Sequence, residues 1–310
     1  MLPVLVSIIA ASCATGIPEK DVAQLYFNLG NAYFELGDYD GSTKAYLNAI
    51  ELGGDLPQAG YNLARMYIES GKVADGIKAL QDLLKEDPDN SILISTIGWA
   101  YFLSGEYEKS VEMYERIIMR MPTDVNGLYN AAVLSWELGR KDQALSLYER
   151  LYEQSDDEEV LYKIASIQTD LENWNGAIDT LLKYTAKKDD DADAYYLLGI
   201  AYTAERYYGE ALEAFESAIE ARDDDPIIHF EKAVILLLYI ENLDEGIKSL
   251  ERAVELGFDD RDRAGDLASS DQLSFGIEVN DYLSGVGLLA GDEPDESELD
   301  DNMPNDEDNR

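Results

Sequence analysis

The sequence holds one cysteine, Cys13, and one histidine, His229, in 310 residues. A lone cysteine excludes an intrachain disulfide, and one residue of each kind excludes a zinc cluster of His and Cys ligands. His229 stands beside Phe230 in an apolar stretch, where a packed histidine is the ordinary reading, and no Ser–His–Asp set has a supporting context. Basic residues are scarce: 24 Lys and Arg face 64 Asp and Glu, for a formal net charge of -40. Binding to a phosphate backbone needs Lys and Arg, so nucleic acid is not expected as a partner. No glycine-rich phosphate loop is present either, because the glycines fall at helical spacing. The carboxylates read as solvated outer faces, with Asp156–Asp157 and Asp189–Asp190–Asp191 as caps between helices. An enzyme, a cofactor and a metal are all unexpected.

Long apolar runs are also few. Met1 to Ala11, MLPVLVSIIAA, is too short to span a bilayer comfortably. The run IIHFEKAVILLLYI at 227–240 is interrupted by Glu231 and Lys232. An apolar helix of that kind needs cover from the rest of the chain.

What the sequence does have is period. Residues 21–54 read as two short amphipathic helices, with apolar residues three and four apart. Gly37 breaks the pattern and Asp38 can cap the second helix. Gly30 lets a neighbouring helix come close, and Tyr26, Tyr33, Tyr39 and Tyr46 fill the space around that contact. Leu29, Leu63, Ile97 and Ala131 recur at intervals of 34 residues, as do Gly37, Gly71, Gly105 and Gly139. A fixed period of this length marks a solenoid of repeated units.

These residues resemble the tetratricopeptide repeat family. The first unit carries Leu29, Gly30, Tyr33, Gly37, Tyr39, Tyr46 and Ala49. The third carries Gly98, Tyr101, Gly105, Tyr107, Tyr114 and Pro122. The sixth carries Tyr195, Leu198, Gly199, Tyr202, Ala211, Phe215 and Ala218. The resemblance implies an all-α, right-handed α-solenoid of about seven helix-turn-helix repeats over 21–257. A signal or lipobox segment and tether are expected at 1–20. A C-terminal helical cap is expected at 258–290, with short helices near 261–269 and 274–283. A disordered acidic tail is expected at 291–310, with a spacing that fits no calcium loop. The fifth repeat is the weakest: it replaces the turn glycine with Glu172 and opens its second helix with Trp174.

In this family the first helices of successive units line a concave groove that holds peptide segments. Carried over by position, the groove residues are Phe27, Asn31, Phe34, Tyr61, Arg65, Ile68, Trp99, Phe102, Tyr129, Trp136, Tyr162 and Tyr196. Aromatic rings give large contact area at low entropy cost, and asparagine amides can pair with an extended backbone. The other reading of these rings is packing between units. Only Arg65 is basic, which argues against a clamp for a C-terminal carboxylate.

Ala10–Ala11–Ser12–Cys13 resembles a bacterial lipobox, although no Lys or Arg precedes the apolar run and Ala10 stands where Leu is preferred. Signal cleavage without lipid and an uncleaved cytosolic start remain open. The expected function is a non-catalytic adaptor for a protein or peptide partner, lipid-anchored through Cys13 in the bacterial envelope. The alternatives are a carbohydrate-binding or envelope-remodelling accessory protein and a soluble cytosolic scaffold.

Overall fold

The computed structural model describes residues 18–53 and 56–289. The lipobox segment with Cys13 and the acidic tail lie outside the described residues. Among the described residues there are sixteen helices and no strand. They are α1 (Glu19–Glu35), α2 (Tyr39–Glu51), α3 (Pro57–Glu69), α4 (Val73–Glu86), α5 (Ser91–Leu103), α6 (Tyr107–Arg120), α7 (Val125–Glu137) and α8 (Lys141–Ser155). They continue with α9 (Glu158–Asp170), α10 (Trp174–Thr185), α11 (Ala192–Ala204), α12 (Tyr208–Ala221), α13 (Pro226–Leu238), α14 (Leu243–Glu255), α15 (Arg261–Ala268) and α16 (Gly276–Gly285). Six consecutive pairs among the first fourteen pack as hairpins: α1–α2, α3–α4, α5–α6, α7–α8, α11–α12 and α13–α14; between α9 and α10 the Thr180 hydroxyl donates to Gln168 at 2.8 Å.

The chain divides between Val160 and Leu161 into two compact units. In the first, each hairpin packs its second helix on the first helix of the next: α2 on α3, α4 on α5 and α6 on α7. In the second unit the same holds for α10 on α11 and α12 on α13.

Three of the hairpins close on a glycine facing an aromatic ring. A methyl group placed on Gly30 would lie 2.5 Å from the Tyr46 ring, and one on Gly199 would lie 2.6 Å from Phe215. At Gly98 the corresponding distance to Tyr114 is 3.0 Å. Tyr46, Tyr114 and Phe215 are all buried. Twelve residues separate two further partners: the buried Ser42 and Ser110 hydroxyls donate to the carbonyls of Gly30 and Gly98 at 2.9 and 2.7 Å. A bond of this kind satisfies a hydroxyl that would otherwise be costly to bury.

The turns keep one backbone geometry. Gly37, Gly71, Gly105 and Gly139 have φ of 70° to 80°. The later repeats hold Glu172, Arg206 and Glu241 in the same left-handed region, with φ of 56°, 66° and 57°. For residues with a Cβ this conformation costs roughly 1–2 kcal/mol, so repeat packing carries the turn where glycine is missing. Helix starts are capped by short polar side chains. Asp38, Asn90, Asp124, Asn173, Asp191, Asp225 and Asn242 each accept a backbone N–H of the helix that follows.

The apolar helix α13 is covered by the chain's own C-terminal segment. Phe230, Ala233 and Leu237 share a core with Phe258, Ala264, Leu267, Val279, Leu283 and Leu288. Phe258 stacks on Phe230 with ring centroids 4.2 Å apart. Arg263 sits over the same ring and pairs with Glu231. Burial pushes the Glu231 carboxyl up from its ordinary range, against the pull of Arg263.

Gly199→Leu should therefore overpack the hairpin of the sixth repeat and lower stability by about 1–3 kcal/mol. Gly265 lies inside α15 with no atom within 4 Å of an added methyl, so Gly265→Ala should be neutral or stabilising by up to about 1 kcal/mol. Urea melts of the two variants check both; equal midpoints would contradict the hairpin contact.

Candidate functional site

The expected groove residues do not share one environment. In the first unit, Phe27, Asn31, Phe34, Tyr61, Arg65, Trp99 and Trp136 are half-buried. Phe102 and Tyr129 are exposed, at 40% and 51%. Ile68 is a correction: it is 3% exposed and belongs to the core of the second and third repeats. The cause is Gly76 on α4, where an added methyl would lie 2.5 Å from the Ile68 side chain. The space left by the glycine draws Ile68 inward. Trp99 leans on the same core cluster while remaining half-buried.

At the first junction, Asn31 is a shared acceptor. The Tyr46 hydroxyl donates to Asn31 Oδ1 at 2.7 Å, and Asn62 Nδ2 donates to the same oxygen at 3.0 Å. This ties the first hairpin to α3. Burial pushes the Tyr46 phenol up. A cleft of about 240 Å³ opens beside it, lined by Asn31, Phe34, Glu35, Tyr46, Asn62 and Arg65. The Arg65 guanidinium lies 5.6 Å from the Phe34 ring centre. Sequence reasoning found Asn31 and Arg65 and missed Asn62. Asn62 lies one residue beyond the ring position of its repeat, and its bond crosses to the preceding repeat.

Farther along the unit, the Tyr61 hydroxyl meets the Thr96 hydroxyl at 3.2 Å, joining α3 to α5. Lys141 lies 5.6 Å from the Trp136 ring centre. Tyr148, beneath the fourth repeat, is pushed up to about 12 by burial, with Tyr129 and Glu137 adding to the effect.

In the second unit, Tyr162 faces Tyr184 with ring centroids 5.6 Å apart, and Tyr184 donates to Asp191 at 2.6 Å. Tyr196 faces Phe215 at 6.2 Å. Burial pushes both Tyr162 and Tyr196 up, with nearby carboxylates adding to each. Phe230 continues the sequence row 34 residues after Tyr196 and was missed; it is 2% exposed, under Phe258 and Arg263. His229 is buried, with Nε2 3.0 Å from the Asp223 carbonyl oxygen. Among the described residues no group of three or more His, Cys, Asp or Glu is placed to hold a metal ion. No described helix is long and apolar enough to cross a membrane. The arrangement offers contact surface and hydrogen bonds.

Comparison with known proteins gives this architecture its class. Tetratricopeptide repeat models match residues 27–91 and 162–226, 67–132, and 127–157, together well over half of the chain. The chain belongs to the tetratricopeptide repeat family, with the all-α solenoid fold of that family. The TPR repeat-containing protein YpiA of Bacillus subtilis (strain 168) is 23% identical over 202 residues, covering 65% of this chain and 48% of that protein. An uncharacterized lipoprotein of Treponema pallidum (strain Nichols) is 29% identical over 107 residues, covering 34% of this chain and 55% of the other. The chain thus spans about half the length of these curated relatives. The solved structure of YrrB, described as a TPR protein with an unusual peptide-binding site, superposes with a TM-score of 0.51 at 16% identity. That match covers 58% of this chain and 93% of YrrB, and it shows the shared fold.

The Asn31 junction makes a stability prediction. Asn31→Ala removes the acceptor of the Tyr46 hydroxyl, leaving it only the longer 3.5 Å bond from Asn62 Nδ2, and should cost about 1–3 kcal/mol, whereas Tyr46→Phe leaves Asn31 bonded to Asn62 and should cost about 0.5–1.5 kcal/mol. A double-mutant cycle by chemical denaturation measures the coupling. Strict additivity of the two changes would show that the bond contributes nothing.

Proposed function

We propose that the chain is a non-catalytic adaptor that binds segments of a partner protein along the first helices of its repeats, and that lipid on Cys13 holds it in the bacterial envelope. One observation carries the binding half. Aromatic side chains stand at first-helix positions without being taken into the core, with Tyr129 and Phe102 the most open. Exposed rings on a rigid scaffold are the kind of group that supplies binding energy at low entropic cost. The description of YrrB as peptide-binding supports the same reading. For the anchor, support comes from the Ala10–Ala11–Ser12–Cys13 sequence and from the Treponema relative's name as a lipoprotein.

Because Trp99 leans on a core cluster, Tyr129 and Trp136 are the cleaner probes. The double change Tyr129→Ala, Trp136→Ala should abolish capture of partners from membrane extract, a loss of about 2 kcal/mol or more at a hot spot. Its thermal melt should stay close to wild type. Unaltered capture with an unaltered melt would remove the first helices as the binding surface.

The anchor is tested separately. Cys13→Ser should move the protein from the membrane fraction to the soluble one, or block its processing, since stable anchoring needs acyl chains that serine at this site cannot receive. If both forms fractionate alike and retain Met1, the lipid reading is wrong.

A further inference from the structure

Between the second and third repeats the first unit leaves an open cleft of about 390 Å³. Tyr61, Leu83, Ile92 and Leu93 make its apolar walls, and Glu86 and Asp87 stand at its edge. A second cleft of about 300 Å³ shares Tyr61 and Ile92 with the first and reaches Asp124. Ile92 is 62% exposed, an uncovered aliphatic group at the middle of this path.

Neither cleft is lined by a lysine or an arginine. Two arginines of α6 reach the loop between the second and third repeats, one onto a neutral carbonyl and one onto a carboxylate. Arg116 donates to the Pro88 carbonyl, and Arg120 pairs with Asp89 at 2.6 Å. Asp87 accepts from Asn90 at 3.0 Å, and Asp124 from the Gly127 N–H at 2.6 Å. These bonds leave the negative charge of each carboxylate in place. The first cleft is therefore apolar along its walls, the second adds the hydroxyl and amide groups of Ser91, Ser95, Thr96 and Asn126 around Tyr61 and Ile92, and the charged groups lining the two are all carboxylates.

We infer that this path seats a cationic amphipathic segment of a partner protein: an extended stretch with an apolar residue between Tyr61 and Ile92, next to Lys or Arg facing Glu86, Asp87 and Asp124. The inference rests on the binding function proposed above and adds the ligand's chemistry. Lys and Arg fit both parts of the surface. Their aliphatic stems lie along apolar walls while the charged head reaches the edge, and a cation over the Tyr61 ring gains further attraction. An acidic segment meets repulsion at all three carboxylates.

Three short peptides, blocked at both ends, test it: one alternating Leu with Lys, one Leu with Glu and one Ser with Lys. The last measures general attraction to an acidic protein. Binding is read by fluorescence anisotropy on the full chain at about 0.15 M salt, where exposed charges more than about 8 Å apart are largely screened. The Leu–Lys peptide should bind at least about tenfold more tightly than the other two. Ile92→Ser, an exposed change, should erase its advantage over Ser–Lys. Glu86→Gln with Asp87→Asn, which leaves Asp124 in place, should reduce its advantage over Leu–Glu severalfold, with the melt unchanged, as expected for charges that steer partner choice.

Equal binding of Leu–Lys and Leu–Glu, with both weakened by Ile92→Ser, overturns the charge preference and leaves the binding function standing. Wild-type affinity in both variants places the peptide elsewhere and overturns the inference outright. So does failure of the Leu–Lys peptide to bind the wild-type chain, whereas the adaptor reading is judged independently by the Tyr129 and Trp136 variant.

Discussion

The structure depends on how two short helices close on each other within a repeat. Neither helix of a pair could be stable alone in water, because a helix of about a dozen residues is marginal without tertiary packing. The contact that secures the pair is a matching of volumes. Gly30, Gly98 and Gly199 face Tyr46, Tyr114 and Phe215, so a missing side chain on one helix is filled by a ring from the other. Where the first helix carries alanine the partner varies: Ala64 and Leu80 share one core and Ala233 and Leu250 another, while in the fourth repeat Ala132 is matched by the buried ring of Tyr148. The Ser42 and Ser110 bonds to the glycine carbonyls sit at the same contact and fix the distance between the helices. Once the hairpin is set, its outer positions are available for stacking and for partners.

That logic explains what was legible in the sequence. Turn glycines, caps and the repeat interval are local: each depends on a residue and its near neighbours, so Gly37 and Asp38 by themselves announce a turn and a helix start. The second helix of each repeat was equally readable, because Tyr46, Tyr114 and Phe215 keep their offset from the glycine they cover. In the C-terminal segment, α16 spans Gly276–Gly285, about two residues later than the pattern suggested. Phe275 precedes it without a side-chain cap, so there was no polar residue to mark its start.

The candidate site was less legible, and Ile68 shows why. Its position, twelve residues into the repeat, is held by Phe34, Phe102 and Trp136 in the first, third and fourth repeats, and these remain half-buried or exposed. Ile68 is drawn inward by Gly76, and Leu237 behaves the same way against Gly246. Glycine on the second helix thus goes with a first-helix side chain that serves the core, whereas Ser42, Ser110 and Ala144 at the same place go with rings that stay outside it. The pairing is visible in the sequence only when two positions eight or nine residues apart are read together. Asn62 is a harder case. Its bond to Asn31 depends on the stacking of one repeat on the next, which no single-repeat pattern encodes.

The charge of the chain bears on selectivity in a way its total does not reveal. Many acidic residues have structural work: Asp38, Asp124, Asp191 and Asp225 cap helices, where a negative group also favours the helix dipole. A net charge of -40 attracts any cation and raises encounter rates without choosing among partners. Discrimination must come from places where charge adjoins a shaped apolar surface, since only there does a ligand have to satisfy both at once. Tyr61 and Ile92 beside Glu86 and Asp87 make such a place in the first unit. At the end of the second unit the comparable ring, Phe230, is already covered by Phe258 and by Arg263, whose guanidinium pairs with Glu231. There the chain itself supplies a cation on an aromatic face beside a carboxylate. Two of these elements, the half-buried ring of Tyr61 and the carboxylates Glu86 and Asp87, line an open cleft in the first unit without the cation, and that difference favours a cationic partner.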